Sequence, residues 1–211
     1  MFRDSGTMRG ENAVLYRFIK GLFYLWIRLF MRVKVYGKER MPKEGAYIVC
    51  ANHMSWWDPI LVAQLTPRVI HFMAKKELFE IPIIGPAFRL VNAFPVDRGK
   101  ADIKAIRDSL DILKKGEVLG IFPEGTRKHD PDKLAEVHGG AALAALRGGA
   151  PIVPIALRGR YGIGSTIKVA IGEPFTLRPS HERFSVDVAE GSKRIAQEIT
   201  ELWREIDGEG A

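Results

Sequence analysis

The sequence predicts an α/β domain, a single mixed and largely parallel sheet flanked by helices, preceded by one amphipathic helix. Three observations carry that reading. Seven short runs rich in β-branched and apolar residues recur along the chain. Segments of helical periodicity separate several of them, and strands interleaved with helices pack as one sheet with helices on its faces. At 211 residues the chain is long enough to bury one such core.

From the N-terminus, residues 12–32 form an apolar and aromatic segment. On a wheel of about 100° per residue, Arg17, Lys20, Arg28 and Arg32 gather on one stripe, while Phe18, Leu22, Leu25, Trp26 and Leu29 occupy the rest. Bases interrupt the run too often for a membrane span, which needs about 20 apolar residues. The pattern predicts a helix lying in a membrane interface, aromatics at the acyl boundary and bases near anionic headgroups. A helix packed on the domain is the other reading. Residues 1–33 are therefore assigned to a membrane-associating helix and 34–211 to the α/β domain.

Strands are predicted over 33–37, 46–51, 69–74, 91–96, 118–122, 152–157 and 167–171. Helices are predicted over 58–65, 83–90, 101–115, 139–147 and 185–206. The clearest is the third, where Ile103, Ile106, Leu110 and Leu113 share a face and Gly116 supplies the stop. Residues 1–11 and 207–211 are expected to fray.

Composition narrows the function classes. Hydrophobic residues at 46% and charged residues at 27% exclude a disordered chain. A formal net charge of +7 calls for an acidic partner: nucleic acid, an anionic membrane or a phosphorylated substrate. The single cysteine, Cys50, excludes an intrachain disulfide and sits in an apolar run, as a buried strand residue would. The first residues lack the pattern of a signal peptide, so a cytoplasmic location is expected.

The chemistry begins at Asn52-His53-Met54-Ser55-Trp56-Trp57-Asp58, which closes the second predicted strand. A histidine in reach of an aspartate is a ready base for an alcohol: the carboxylate fixes the imidazole tautomer while the other ring nitrogen takes the proton. Five residues on an ideal helix stand about 140° apart, so the two cannot share one helix face. His53 is expected in the loop leaving the strand and Asp58 near the first turn of the next helix. Three more blocks lie at predicted strands: Phe94-Pro95-Val96-Asp97-Arg98-Gly99, Phe122-Pro123-Glu124-Gly125-Thr126-Arg127 and Val153-Pro154-Ile155-Ala156-Leu157. In open α/β sheets, segments at the carboxyl ends of strands converge on one site.

These four blocks, in this order and spacing, resemble the signature blocks of the glycerolipid acyltransferase family. That family includes bacterial 1-acyl-glycerol-3-phosphate acyltransferases. The similarity runs from about Lys34 to Glu173, and the pairing of His-x4-Asp with Phe-Pro-Glu-Gly-Thr-Arg about seventy residues later is its most specific part. Lys128 and His138-Gly139 depart from the pattern, at positions where Ser and a basic residue are frequent, which bears on acceptor choice.

The resemblance implies acyl transfer from acyl carrier protein or CoA to the sn-2 hydroxyl of 1-acyl-sn-glycerol 3-phosphate, forming phosphatidic acid, with no cofactor and no metal. Glycerol 3-phosphate or another lysophospholipid is the alternative acceptor. His53 would be the base and Asp58 its orienter, with direct attack by the bound alcohol and Ser55 as a minor alternative nucleophile. Arg98 and Arg127 would bind the phosphate through the planar guanidinium fork. Glu124 would contact the glycerol hydroxyl or hold Arg127, Gly125 would allow close backbone approach, and Thr126 would cap or touch the acceptor. Lys75 and Lys76 are second-tier phosphate ligands, only one of which strand alternation points inward. The small-residue run 139–145 either packs tightly or leaves a groove for the acyl chain. An anionic membrane surface is the expected partner, on the cytoplasmic face, with peripheral or monotopic attachment.

Two rivals come from other classes. A metal hydrolase would draw on His53, Asp58, His129, Asp130, Asp132 and His138, but their spacing matches no zinc motif. A non-catalytic basic module would bind a membrane surface or nucleic acid, yet the basic charge is spread along the chain without an RNA-binding signature, so nucleic acid is not expected.

Overall fold

The computed structural model describes residues 10–82, 84–97, 102–125 and 137–208. Among them, seven strands form one sheet in the order β1-β7-β6-β2-β5-β3-β4. They are β1 Arg32–Tyr36, β2 Tyr47–Ala51, β3 Ile70–Lys75, β4 Phe94–Val96, β5 Val118–Ile121, β6 Ile152–Gly159 and β7 Thr166–Ile171. The five strands β6, β2, β5, β3 and β4 run parallel. β7 is antiparallel to β6 and β1 is parallel to β7, so the sheet is mixed.

β2 explains why so uniform an apolar run becomes a strand. All five of its residues are buried because both faces of the sheet are covered. Tyr47, Val49 and Ala51 face a core shared with α1 (Gly10–Phe30) and α2 (Asp58–Gln64). Ile48 and Cys50 face the opposite core, built with α4 (Ile103–Lys114), α5 (Gly140–Gly148) and α6 (Phe184–Gly208). The short α3, Ile84–Leu90, precedes the edge strand β4.

Most predicted elements shift by a residue or two at their ends, and three of the shifts have a visible cause or consequence. β4 starts at Phe94 rather than Val91, because Asn92 closes α3 in the left-handed region at φ 59. There Asn92 N–H donates to Arg89 O and Ala93 N–H to Phe88 O, a Schellman closure that consumes the residues before the strand. α4 starts at Ile103, with the Asp102 carboxylate accepting from Ala105 N–H as its N-cap. The first helix ends at Phe30, so Arg32 belongs to β1 and leaves the basic stripe.

α1 also corrects the wheel at Lys20. Its ammonium donates to Thr66 O at 2.6 Å, at the carbonyl end of α2, and Gln64 Nε2 donates back to Lys20 O at 3.0 Å. A long stem lets a base on an apolar helix reach a C-terminal carbonyl instead of water. Trp26 stacks on Trp57 at 4.9 Å, Phe23 meets the same ring edge-on, and Ile27 is buried. The opposite face leaves Phe18, Leu22, Leu25 and Leu29 exposed, a stripe spaced four, three and four residues apart. No helix among the described residues is long and apolar enough to cross a membrane.

Candidate active site

The parallel strands bring the loops after β2, β5, β3, β4 and β6 to one edge of the sheet. His53 leaves β2 there and Asp58 opens α2, so the pair straddles the strand-to-helix turn. His53 Nδ1 and Asp58 Oδ2 stand 2.8 Å apart, with the imidazole 11% and the carboxylate 0% exposed. The same oxygen accepts the backbone N–H of Met54 at 2.6 Å and of Ser55 at 2.7 Å. Those bonds fold the loop around the carboxylate, and Asp58 N–H closes the turn on Ser55 O. Tyr161 O–H donates to the other oxygen, Oδ1, at 2.6 Å. A buried carboxylate with four donors is satisfied as an anion. The His53 Nδ1–H donates to it, which leaves Nε2 as the basic ring nitrogen.

Glu124 arrives from the loop after β5, is buried, and accepts the His53 backbone N–H through Oε1 at 3.1 Å. The residues 122–125 close a tight turn, Gly125 N–H to Phe122 O at 3.0 Å. Gly125 sits at φ 64, a left-handed conformation that favours glycine, and a Cβ there would come within 2.9 Å of the His138 ring. Phe122 stacks on the His53 imidazole at 4.2 Å and is itself stacked on Phe72. The blocks at His53 and at Glu124 thus form one unit, in which Glu124 braces the His53 backbone.

The remaining expected residues are distributed differently. Lys75 ends β3 at the same edge, exposed and paired with Glu77 at 3.0 Å. Lys76 opens the 3-10 turn Lys76–Phe79, also exposed. Arg98, Thr126 and Arg127 lie outside the described residues, as do His129, Asp130 and Asp132 of the metal reading. Among the described residues no group of three or more His, Cys, Asp or Glu side chains could hold a metal ion. The small residues of α5 pack tightly: Ala141, Ala142, Ala144 and Ala145 are buried against the sheet and α6. Burial pushes the Cys50 thiol up to about 12, and Ser55 Oγ accepts Trp57 N–H within the turn.

Sequence reasoning passed over three contributors. Asn52, buried, pairs its side-chain amide with both Leu157 N–H and Leu157 O, at 2.7 and 2.9 Å, extending the β2–β6 ladder to the brink of His53. The Asn-His dipeptide was its visible signal. Phe122 stood in a quoted block without a role. Tyr161 had no local signal at all.

The geometry can be set beside known proteins. A family model described as Acyltransferase matches residues 32–158. The 1-acyl-sn-glycerol-3-phosphate acyltransferase of Bacillus subtilis is 35% identical over 204 residues, covering 92% of this chain and 99% of that one. The protein of the same name in Streptococcus pneumoniae is 36% identical over 157 residues, covering 72% of this chain and 57% of the longer relative. Among solved structures, the crystal structure of the 1-acyl-sn-glycerophosphate acyltransferase PlsC from Thermotoga maritima aligns with a TM-score of 0.65 at 26% identity. That alignment covers 92% of this chain and 84% of the other.

Proposed function

This chain belongs to the acyltransferase family, and from that premise we propose that it moves a fatty acyl group from a thioester to the sn-2 hydroxyl of 1-acyl-sn-glycerol 3-phosphate. The product is phosphatidic acid. The observation that carries the reading is the His53–Asp58 pair at 2.8 Å, held in a strand-to-helix turn and braced by Glu124. The relatives' names support the acceptor and the reaction class.

His53 Nε2 takes the hydroxyl proton as the alcohol oxygen attacks the thioester carbonyl carbon. General-base catalysis of this kind is typically worth about 10²–10⁴ in rate. Asp58 stabilises the imidazolium that forms. The tetrahedral intermediate collapses with cleavage of the C–S bond, and the imidazolium returns its proton to the departing thiolate. No acyl-enzyme is required, since the Cys50 thiol is buried and held protonated. Arg98 and Arg127 are proposed as ligands of the acceptor phosphate, with Thr126 beside them and Lys75 and Lys76 as supporting cations. In sequence Arg98 comes two residues after β4 and Arg127 two residues after Gly125, and the described ends of β4 and β5 stand at the edge where His53 lies.

Acyl carrier protein or CoA is the proposed donor; both are anionic and suit a chain of net charge +7. We also assign the outer face of α1 to the cytoplasmic surface of the membrane, as a peripheral or monotopic attachment. α1 supplies that face and the α/β domain the chemistry. Support comes from the exposed stripe Phe18, Leu22, Leu25 and Leu29. Beside it lies a cleft of about 430 Å³ between α1, β1 and α2, with Ile27, Met31, Leu61 and Leu65 as its floor and Arg28, Arg32 and Lys38 around it. Apolar floor and cationic rim are the chemistry of an anionic lipid surface.

A crossed assay tests the acceptor and donor together. Each thioester is offered with lysophosphatidate or with glycerol 3-phosphate, and products are read by mass. The reading predicts phosphatidic acid from lysophosphatidate with at least one donor; exclusive acylation of glycerol 3-phosphate would overturn the acceptor.

A further inference from the structure

We propose that Tyr161 is a positioning residue for the dyad: its hydroxyl fixes the Asp58 carboxylate from the far side, so that Oδ2 stays aimed at His53. The inference rests on the reading of His53 as the base.

The three donors on Oδ2 are His53 Nδ1, Met54 N–H and Ser55 N–H, all within five residues of Asp58. They fold the loop on itself and would travel with it. The bond to Oδ1 is of another kind, since Tyr161 stands 103 residues away in sequence and donates at 2.6 Å. It ties the carboxylate to the end of β6, a strand whose residues 152–157 are fully buried in the sheet. Two features bring Tyr161 to that place. The Asn52 amide locks Leu157 beside the exit of β2. Gly159 then leaves the strand at φ 124, where a Cβ would lie 2.3 Å from Thr166 O, so the chain redirects at a position closed to other residues. The Tyr161 ring packs on the core shared by α1 and α2. Burial, then the Asp58 charge, holds its phenol well above the ordinary value, so it remains a donor throughout the working pH range.

Without the hydroxyl, Oδ1 is a buried anionic oxygen lacking its donor, and the carboxylate is held only by the loop's own donors on Oδ2. More of its charge is then unshared and stabilises the imidazolium form of His53. Among the described residues, Asp58 reaches that ring directly, Glu124 through the His53 amide, and Tyr161 through Asp58. The match to the Acyltransferase family model ends at residue 158, so Tyr161 lies beyond it.

Tyr161→Phe keeps the ring and deletes the oxygen. We expect kcat to fall about tenfold with both KM values within about twofold, and the acid limb of the kcat–pH profile to move to higher pH. The thermal midpoint serves as the control for folding. In an Asp58→Asn background, adding Tyr161→Phe should cost less than about twofold, because the tyrosine acts only through the carboxylate. Full additivity with Asp58→Asn, or a drop in kcat with an unmoved acid limb, would assign Tyr161 to folding alone and overturn the proposal. Unchanged kcat in Tyr161→Phe while Asp58→Asn is impaired would do the same. An Asp58→Asn enzyme with full kcat would instead sink the dyad itself.

Discussion

At Cys50 the burial that builds the sheet also removes a nucleophile. The thiol lies at the centre of β2, fully buried, with its ionisation pushed up to about 12, so little thiolate forms near neutral pH. Cys50→Ala should keep full turnover and lose about 1 kcal/mol of stability from the small void. Iodoacetamide should label the native protein only after denaturation. Rapid labelling that kills turnover would revive a covalent route. Residue-scale legibility was uneven for a physical reason. Asp58 and His53 are close in sequence, so the loop that joins them was readable from helix geometry. Glu124 was visible as a residue, but the His53 backbone amide that it accepts lies in the loop after β2, 71 residues earlier. No local pattern encodes that bond. The same holds for Asn52 on Leu157 and for Tyr161 on Asp58.

Elements were more legible, because their periodicities are local. All seven strands fall where apolar runs were read, and the shifts arise at caps, where one side chain or one left-handed residue decides. Asp102 is such a decision. Its carboxylate accepts from Asp97 N–H at 2.9 Å and from Ala105 N–H at 3.0 Å, so it both caps α4 and bridges the loop carrying Arg98. Those bonds, that from Asp97 first, hold the carboxyl below its ordinary value of 3.8. A depressed pKa contributes stability above the unfolded value, and that contribution is lost as pH falls through the folded one. Asp102→Ala should therefore cost about 1 kcal/mol near neutral pH, as an N-cap does. The gap in thermal midpoint from the wild type should close below pH 3.8. A gap that stays constant to lower pH would mean the carboxylate charge is irrelevant to the cap.

α1 shows an element whose periodicity is local and whose inward contacts are not. Periodicity finds an amphipathic helix but does not say which bases turn inward, and Lys20 does. Removing the residues before Val33 would strip Ile27 and Met31 from the core, so deletion cannot separate membrane contact from folding. Leu22→Lys with Leu29→Lys changes only the exposed stripe. That pair should lower liposome co-sedimentation and turnover on liposomes, while the thermal midpoint and turnover on detergent-dispersed acceptor hold. Equal losses in both assays would make the stripe structural rather than interfacial.

At the scale of the whole molecule, the sheet explains why a site could be inferred before its residues were seen together. Five parallel strands discharge their loops at one edge, so blocks read at separate strand ends had one place to meet. Net charge and the exposed α1 stripe, through which we propose that an anionic lipid approaches, do not build that edge. What sequence alone left open was the bracing, since bonds that join β5 and β6 loops to the β2 loop follow from topology rather than spacing.

Acyl transfer is proposed to depend on His53 as its base. The most direct test is His53→Ala assayed for phosphatidic acid from lysophosphatidate, with product read by mass and folding by thermal midpoint. Turnover should fall at least about a hundredfold, the lower end of what a general base supplies, with the midpoint and liposome binding close to wild type. A folded His53→Ala protein with full turnover would contradict it.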